Sequence, residues 1–434
     1  MDSAGFEPVK ITTEFDQAME LMSNSGSDPV FITGSAGTGK STLLKLFTDT
    51  TDRKMVCLAP TGVAALHVGG QTIHSFFGFP PSLLVPGEFK IWKNKRIIRK
   101  LDLIVIDEIS MVRADLMDAM DHFLKVVRKT DSPFGGVKMV FFGDLYQLPP
   151  VVSGVAAANY FNTEYESPYF FSARVFDREC RLHQFELTEV FRQKDRKLVE
   201  LLDRIRTNTA DFDDLEFINS RVDPTFDSPD WCVTLAARNA TVNAINQLRL
   251  SQLEGDPVLY NAKVKGKFPL NAFPADSVLS LKAGAQVIFL RNSPDHQFVN
   301  GTLGRVVEVH EDHILVRLKD GLHEDKVIEV EPFKWDMTEY EYDSKENKLK
   351  TRTKGEFVQY PLKLAWALTI HKSQGKTFEN VFIDLSGGGA FETGQAYVAL
   401  SRCKTLEGIV LKRDLKPSDI KIDPRIAEFL GYAV

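Results

Sequence analysis

Cysteine is scarce in this sequence. The four residues Cys57, Cys180, Cys232 and Cys403 lie far apart, with no C-x-x-C pair. That excludes a zinc ribbon or a disulfide framework and fits a reducing compartment. Long apolar runs are also missing. Stretches such as Leu103–Ile106 fall far short of the ~20 residues a membrane-spanning helix needs, so no membrane partner is expected. The opening MDSAGFEPVK holds an acidic residue and no apolar segment, so no secretory signal is expected and the protein reads as intracellular. There are no repeats or low-complexity tracts. Basic charge is not in excess either: 53 Lys and Arg against 59 Asp and Glu leave a net charge of −6. On net charge alone the chain is a poor general polyanion binder.

What is present is globular composition, 43% hydrophobic and 26% charged, over 434 residues. That length exceeds one ordinary domain and predicts two to four. The most informative segment is Pro29-Val-Phe-Ile-Thr33, then Gly34-Ser-Ala-Gly-Thr-Gly-Lys-Ser41, then Thr42-Leu-Leu-Lys-Leu-Phe47. A β-branched apolar run, a Gly-rich turn and a helical apolar repeat follow in order, and the turn matches G-x-x-x-x-G-K-[ST] at every fixed position. Gly34, Gly37 and Gly39 let the backbone, with Ala36 and Thr38 between them, aim N–H groups at phosphate oxygens beside a helix N-terminus. Lys40 is placed to reach the β- and γ-phosphates of ATP. The Ser41 hydroxyl is a Mg²⁺ ligand, and Thr42 opens the helix behind it.

Such a loop needs a carboxylate on a neighbouring strand. Leu103-Ile-Val-Ile-Asp107-Glu108 supplies it, an apolar strand of the buried parallel type ending in two acids. Asp107 is the candidate to hold Mg²⁺ through water, and Glu108 the general base that polarises the attacking water. A third apolar strand, Met139-Val-Phe-Phe142, leads through Gly143 to Gln147. An amide there is a candidate contact for the γ-phosphate or the water, although Gly-Asp followed by a proline pair is also an ordinary turn.

Taken together, these blocks resemble superfamily 1 DNA helicases of the Pif type (petite integration frequency), with RecD relatives, from about Phe15 to about Leu411. The carrying residues, beyond those above, are Phe15-Asp-Gln17, Leu58-Ala-Pro60-Thr61-Gly-Val-Ala-Ala65, Gln71-Thr-Ile-His74-Ser-Phe76-Phe77 and Leu187-Thr-Glu-Val-Phe-Arg192-Gln. Further on come Pro361 to Thr369-Ile-His371-Lys372-Ser373-Gln374-Gly375, and Gln395 to Ser401-Arg402. The resemblance implies that Gln17 reads the adenine edge, that Arg192 and Arg402 sense the γ-phosphate, and that Gly375 lies at the nucleotide. It also implies DNA contacts from Pro60, Thr61, His74, Phe76, Arg238, Asn239, Thr369, His371, Lys372 and Ser373. Arg192 and Arg402 lie far along the chain from Lys40, so convergence on one nucleotide requires a second domain closing over it, as an arginine finger does. His371-Lys-Ser-Gln follows the apolar run Leu364–Ile370, so its polar groups are expected at a strand end. Arg238-Asn239, ahead of a helix over Thr241–Leu250, repeats that design.

The expected architecture is α/β: two RecA-like domains with parallel sheets. The first spans residues 1–180, with a wedge-like insertion at 78–100. The second spans 181–293 and 358–434, interrupted at 294–357 by a small β-barrel that the resemblance makes SH3-like. Hairpins are read around Glu311-Asp312 and around Ser344-Lys-Glu-Asn347. In the wedge, Phe89-Lys-Ile-Trp92-Lys-Asn-Lys-Arg-Ile-Ile-Arg-Lys100 carries six basic and no acidic residues.

The function this implies is ATP-dependent, Mg²⁺-dependent translocation on single-stranded DNA. The 5′-to-3′ polarity comes from the family, and forked duplex, G-quadruplexes and RNA–DNA hybrids are the implied substrates. The expected working unit is a monomer, in the cytoplasm if bacterial and in the nucleus or mitochondria if eukaryotic. Repair, recombination and telomere maintenance come only with the resemblance. Two other readings compete: an ATP-gated single-strand clamp that does not unwind, and a RecD-like motor subunit of a nuclease complex. The paired Glu108 and Arg192 argue against the clamp, since a pure switch needs neither a base nor a finger. Lys363 stands where many relatives are expected to carry arginine, and the two are not interchangeable at a phosphate. Residues 295–357 hold 10 basic and 15 acidic side chains, 10 − 15 = −5, which leaves −1 for the rest. The acidity therefore belongs mostly to the insertion and is no argument against DNA.

Overall fold

The computed structural model describes residues 12–24, 26–80, 82–85, 94–152, 154–177, 180–193, 195–293, 295, 297–319, 326–343 and 348–431. The chain divides into two units. The first runs to Leu145 and includes Pro150–Phe191 and Glu339–Arg352. The second comprises Tyr146–Pro149, Arg192–Thr338 and the chain from Thr353.

The first unit is built on six parallel strands. These are β1 (Val30–Gly34), β2 (Met55–Ala59), β3 (Gln71–Thr72), β4 (Leu103–Ile106), β5 (Lys138–Phe142) and β6 (His183–Leu187), in the order β3-β2-β4-β5-β1-β6. Around them run α1 (Thr13–Ser23), α2 (Lys40–Thr50), α3 (Gly62–His67), α4 (Ile73–Phe77), α5 (Lys95–Ile98), α6 (Ala114–Arg128) and α7 (Val155–Glu164). Every residue of β1, β4 and β5 is buried, as expected of parallel strands covered on both faces. Leu43, Leu44 and Phe47 of α2 close over them in one core with Phe15, Ile32, Val105 and Phe142.

The second unit joins two kinds of sheet. Its helices are α8 (Arg196–Thr207), α9 (Phe212–Asn219), α10 (Asn239–Ser251), α11 (Ile370–Ser373), α12 (Gln395–Leu400) and α13 (Pro424–Leu430). Its strands are β7 (Val233–Ala236), β8 (Val258–Asn261), β9 (Lys263–Gly266), β10 (Val278–Leu281), β11 (Gln286–Phe289), β12 (Leu303–Val309), β13 (Ile314–Lys319), β14 (Val327–Val330), β15 (Phe333–Asp343), β16 (Lys348–Gln359), β17 (Leu362–Leu364), β18 (Ala367–Thr369), β19 (Val381–Asp384) and β20 (Ile409–Leu411). A parallel sheet has the order β18-β7-β19-β20. The antiparallel part forms a five-stranded sheet β14-β13-β12-β11-β17, a three-stranded sheet β15-β16-β9 and the pair β10-β8. Burial alternates along β13, as for a sheet with one wet face.

Several boundaries differ from the sequence reading. β6 pairs in full register with β1, from Val30↔His183 to Gly34↔Leu187. The first domain therefore runs past residue 180, and the units part between Phe191 and Arg192. The insertion recruits β9, β11 and β17 from outside 294–357, because each supplies an edge that its own strands need. The first hairpin is found as β12–β13 around residues 310–313, whereas the turn at 344–347 lies outside the described residues. The apolar run 364–370 is not one strand. Leu364 pairs with Val287 in the antiparallel sheet, and Ala367–Thr369 joins the parallel one. The helix after Arg238 begins at Asn239 rather than Thr241. In the basic insertion Phe89 and Trp92 lie outside the described residues. Its described end is anchored, with Ile97 and Ile98 buried and Arg128 donating to the Ile98 and Leu101 carbonyls at 3.0 Å each. Among the described residues no helix is long and apolar enough to cross a membrane.

Gln286 ties the two kinds of sheet together. Its amide, 1% exposed, donates to the Cys232 and Ala365 carbonyls at 2.9 Å each and accepts from Trp231 N–H at 2.9 Å. Substitution Gln286→Leu keeps the volume and orphans three buried backbone groups. At about 1–3 kcal/mol per orphaned group, the unfolding midpoint of the second unit is expected to fall clearly in denaturant titrations. An unchanged midpoint would show that the amide is not the tie.

Candidate active site and nucleic-acid interface

The phosphate loop joins β1 to α2 as the sequence indicated. Gly34, Gly37 and Gly39 have φ of 149°, 93° and 84°. A Cβ at Gly34 would meet the Leu187 carbonyl oxygen at 2.5 Å, and one at Gly39 would meet Phe15 Cζ at 2.8 Å. Lys40 Nζ donates to the Gly34 and Ser35 carbonyls at 2.8 and 2.9 Å, so the ammonium already lies over the loop. Thr38 Oγ1 donates to Ser35 O at 3.0 Å, and Ala36 is buried. Ser41 and Thr42 stand exposed at the start of α2. Gln17 is exposed on α1, whose Phe15 packs behind the loop. Glu14 fastens that helix, accepting from Thr188 Oγ1 at 2.5 Å and Thr188 N–H at 3.0 Å.

Asp107 and Glu108 follow β4. Burial is the largest influence on Asp107 and pushes its carboxyl up to about 6, against the Glu108 N–H and the Lys40 charge, which favour ionisation. Glu108 is held at φ 52° and ψ 46°, a left-handed conformation that costs a non-glycine residue about 1 kcal/mol or more. The bend carries the chain out of the strand into a short 3₁₀ turn, so the two acids have different backbone frames. A desolvated carboxylate and an exposed hydroxyl at the loop fit a divalent cation carried by phosphates. When bound, Mg²⁺ would neutralise charge on those oxygens.

The second unit holds the other proposed phosphate contacts. Arg192 Nη1 lies 3.4 Å from Ser401 O. Its neighbour Gln193 donates to the Ser401 and Cys403 carbonyls at 3.1 Å each. Burial pulls the Arg192 guanidinium down from its ordinary value, and only Tyr397 opposes this. Gln147 is buried and its Oε1 accepts from Gln374 Nε2 at 3.1 Å. Gly375, at φ 76°, is exposed. Arg402 departs from its expected role as a sensor. It is 1% exposed and its guanidinium is engaged by Val398 O at 2.8 Å, Ser401 Oγ at 2.7 Å and Lys376 O at 3.3 Å. It braces the segments carrying Gly375 and Arg192 instead of presenting itself to a ligand.

The nucleic-acid residues separate in the same way. Pro60 and Thr61 are partly exposed after β2. Thr61 caps α3 by accepting from Ala64 N–H at 3.2 Å, and Thr369 caps α11 by accepting from Lys372 N–H at 3.2 Å. A hydroxyl that accepts from the helix keeps its own proton for an outside acceptor. His74 is partly buried, and burial followed by the Arg113 charge lowers its pKa, which favours the neutral imidazole. Arg238 and Asn239 are exposed where β7 turns into α10. His371 Nε2 pairs with Glu392 at 2.8 Å, and Lys372 is exposed. Lys363 is held by Asp276 at 2.6 Å. Two expected contacts are corrected. Phe76 is fully buried with its ring centroid 5.0 Å from that of Phe77, so it has no face for a base. Ser373 is fully buried and donates to Ile370 O at 2.7 Å.

Three residues were missed by sequence reasoning. Phe191 is 39% exposed, its N–H donates to Gly37 O at 2.9 Å and its ring lies beside Gly39. An aromatic directly before a finger arginine was the available signal. Phe391, 42% exposed, lies with its ring centroid 5.3 Å from the Arg238 guanidinium, but nothing in the sequence links positions so far apart. Lys376 is pushed down to about 8 by burial and donates to Asn300 Oδ1 at 2.7 Å.

A cation ligand must be ionised. With Asp107 near 6, kcat/KM for nucleotide hydrolysis is expected to fall as pH drops through about 6, the midpoint moving lower as Mg²⁺ is raised. Steady-state rates between pH 5 and 8 at several Mg²⁺ concentrations check this. A midpoint near 4 that ignores Mg²⁺ would remove Asp107 from the role.

The pattern of the PIF1-like helicase family matches residues 10–215. The ATP-dependent DNA helicase Pif1 of Bdellovibrio bacteriovorus is 32% identical, over 98% of this chain and 93% of its own length. The PIF1 helicase of Xenopus laevis is 32% identical over 97% of this chain, which spans only 64% of that protein. Among solved structures, Bacteroides Pif1 in complex with ADP-AlF4 is 36% identical with a TM-score of 0.88, covering 97% of this chain and 96% of that one. The Candida albicans Pif1 helicase is 30% identical with a TM-score of 0.72, over 97% and 99%. The loop, the Asp107-Glu108 pair and the two parallel sheets agree with those relatives along nearly the whole chain, and the chain belongs to the PIF1-like helicase family.

Proposed function

We propose that this chain is an ATP-dependent DNA helicase that moves 5′ to 3′ on single-stranded DNA and opens forked duplex. The observation that carries the reading is the complete phosphate loop beside Asp107, with Glu108 set at its own backbone angle. A binding switch needs the loop and the metal carboxylate, whereas a separately aimed second acid serves hydrolysis. In this reading water attacks the γ-phosphorus, the bond to the β–γ bridging oxygen breaks and Glu108 takes the proton. Lys40 steadies the phosphates, and Arg192, a desolvated cation with no carboxylate among its influences, serves as the finger.

Single-stranded DNA and forks are proposed as partners because relatives of known structure carry those ligands by title. Bacteroides Pif1 is described bound to ssDNA, at 36% identity and a TM-score of 0.70. A further structure of similar likeness is described as unwinding forked dsDNA by two coordinating helicases. For this chain we take the monomer as the working unit. The contact groups are the capped hydroxyls of Thr61 and Thr369, with Arg238 and Asn239, His371, Lys372 and the neutral His74. Hydroxyls and amides with few charges suit backbone contact without sequence preference.

Single-stranded DNA is expected to stimulate ATP hydrolysis far more than duplex or RNA, and a fork with a 5′ tail to be opened while a 3′-tailed fork is not. Equal opening of both forks would overturn the polarity, and stimulation by none of the nucleic acids would overturn the function. Glu108→Gln is expected to cut turnover by about 10²-fold or more while retaining ATP binding. A variant that hydrolyses at the wild-type rate would remove Glu108 as the base, and strand separation that survives loss of hydrolysis would favour a clamp.

A further inference from the structure

β9 is an edge strand of the sheet β15-β16-β9, and residues 263–267 are all exposed. Its register with β16 is Val358↔Lys263, Phe357↔Val264, Glu356↔Lys265 and Gly355↔Gly266. Residues directly opposite share a face. Val264 therefore sides with buried Phe357, whose ring packs on Phe268, Phe273 and Trp335. Lys263 and Lys265 stand on the other face. Lys267 continues the alternation, its N–H donating to Lys354 O at 3.1 Å. Lys334 joins the same face through Glu356 and Asp336, each at 3.4 Å. Five ammonium groups thus meet two carboxylates, 5 − 2 = +3, in a chain whose net charge is −6. Among the described residues Lys263, Lys265 and Lys267 have no ion pair.

We propose that this lysine strand is a second nucleic-acid contact, which takes the phosphodiester backbone of the duplex arm rather than the translocated single strand. Alternate residues of a strand recur every ~6.6–6.8 Å, and two phosphates along one strand of B-form duplex rise about 6.8 Å. A straight row of lysines therefore keeps pace with a duplex backbone. Surfaces for single strands pair cations with aromatic faces on which bases stack. Here the aromatic rings lie on the buried side of the sheet, and the outer face offers none among the described residues. The inference rests on the helicase reading for its ligand, but not on any motor residue. Lysines on an edge strand also discourage strand-to-strand association, and the test separates that role.

The full chain and K263A/K265A/K267A are titrated without nucleotide against a 5′-tailed fork and against the tail oligonucleotide alone, by fluorescence anisotropy over a salt series. Each phosphate contact contributes about 0.9 to the slope of log K against log salt, so the fork slope is expected to fall by about 2–3. Binding to the tail and its stimulation of ATP hydrolysis are expected to stay unchanged, and K263R/K265R/K267R to keep the wild-type slope. An unchanged fork slope overturns the proposal. An equal loss on the tail alone places the lysines in the single-strand path and overturns it too. Self-association of the alanine variant in sedimentation, with fork binding intact, leaves only edge protection. Failure of the helicase reading is visible separately, as a wild-type chain whose hydrolysis ignores single strands.

Discussion

Room for a hydrogen and nothing larger separates the phosphate loop from the elements behind it. The Leu187 carbonyl oxygen and the Phe15 ring occupy the space that side chains at Gly34 and Gly39 would need. This close approach makes α1 and β6 walls of the nucleotide site, although they stand at opposite ends of the first unit's chain. Phe191 N–H bonding to Gly37 O adds the segment that leads to Arg192. A residue that reports on phosphate is thus reached from the loop by one short run of backbone. Any loosening of β6 would open the loop and shift that run together.

A second recurring device is the threonine that ends a strand and starts a helix. Thr61, Thr72 and Thr369 each accept from a backbone N–H three residues on, at 3.1–3.2 Å. The cap satisfies one orphan donor and fixes the angle at which the chain leaves the sheet. It also holds the hydroxyl at the carboxyl edge of a parallel sheet, where ligands of α/β folds collect. Stability and contact chemistry therefore use the same atoms, and a threonine-to-alanine change at these positions would mix the two effects.

The legible parts of the sequence were the local ones. The loop, the Asp107-Glu108 pair and the strand–donor–helix turn at Arg238 are each specified by consecutive residues, so pattern alone located them. The errors share a cause, which is burial decided by distant chain. Phe76, Ser373 and Arg402 sit in segments that look functional, but each is turned inward by partners that spacing does not reveal. β6 was assigned to the wrong domain because a half-exposed strand, His-Gln-Phe-Glu-Leu, declares its sheet only through pairing. The run 364–370 looked like one strand because apolar patterning says nothing about a change of sheet at Ala365-Trp366.

Electrostatics explains why an acidic chain suits anionic ligands. Burial, not repulsion, is the main influence that lowers Arg192, Lys372 and Lys376. Carboxylates enter weakly: Asp276 acts on Lys372, and none acts on the other two. The acids that give the chain its net charge of −6 are concentrated elsewhere, in the inserted strands. Asp107 is the mirror case, a carboxyl raised by desolvation with one distant ammonium for company. Desolvated charges without counter-ions gain most when a ligand supplies them, because the cost of burial has already been met in folding. Metal and phosphate arriving together would relieve both kinds of site, whereas either alone would relieve only one. That asymmetry favours binding the nucleotide with its cation over binding the bare anion, and it requires no excess of positive charge anywhere else in the molecule.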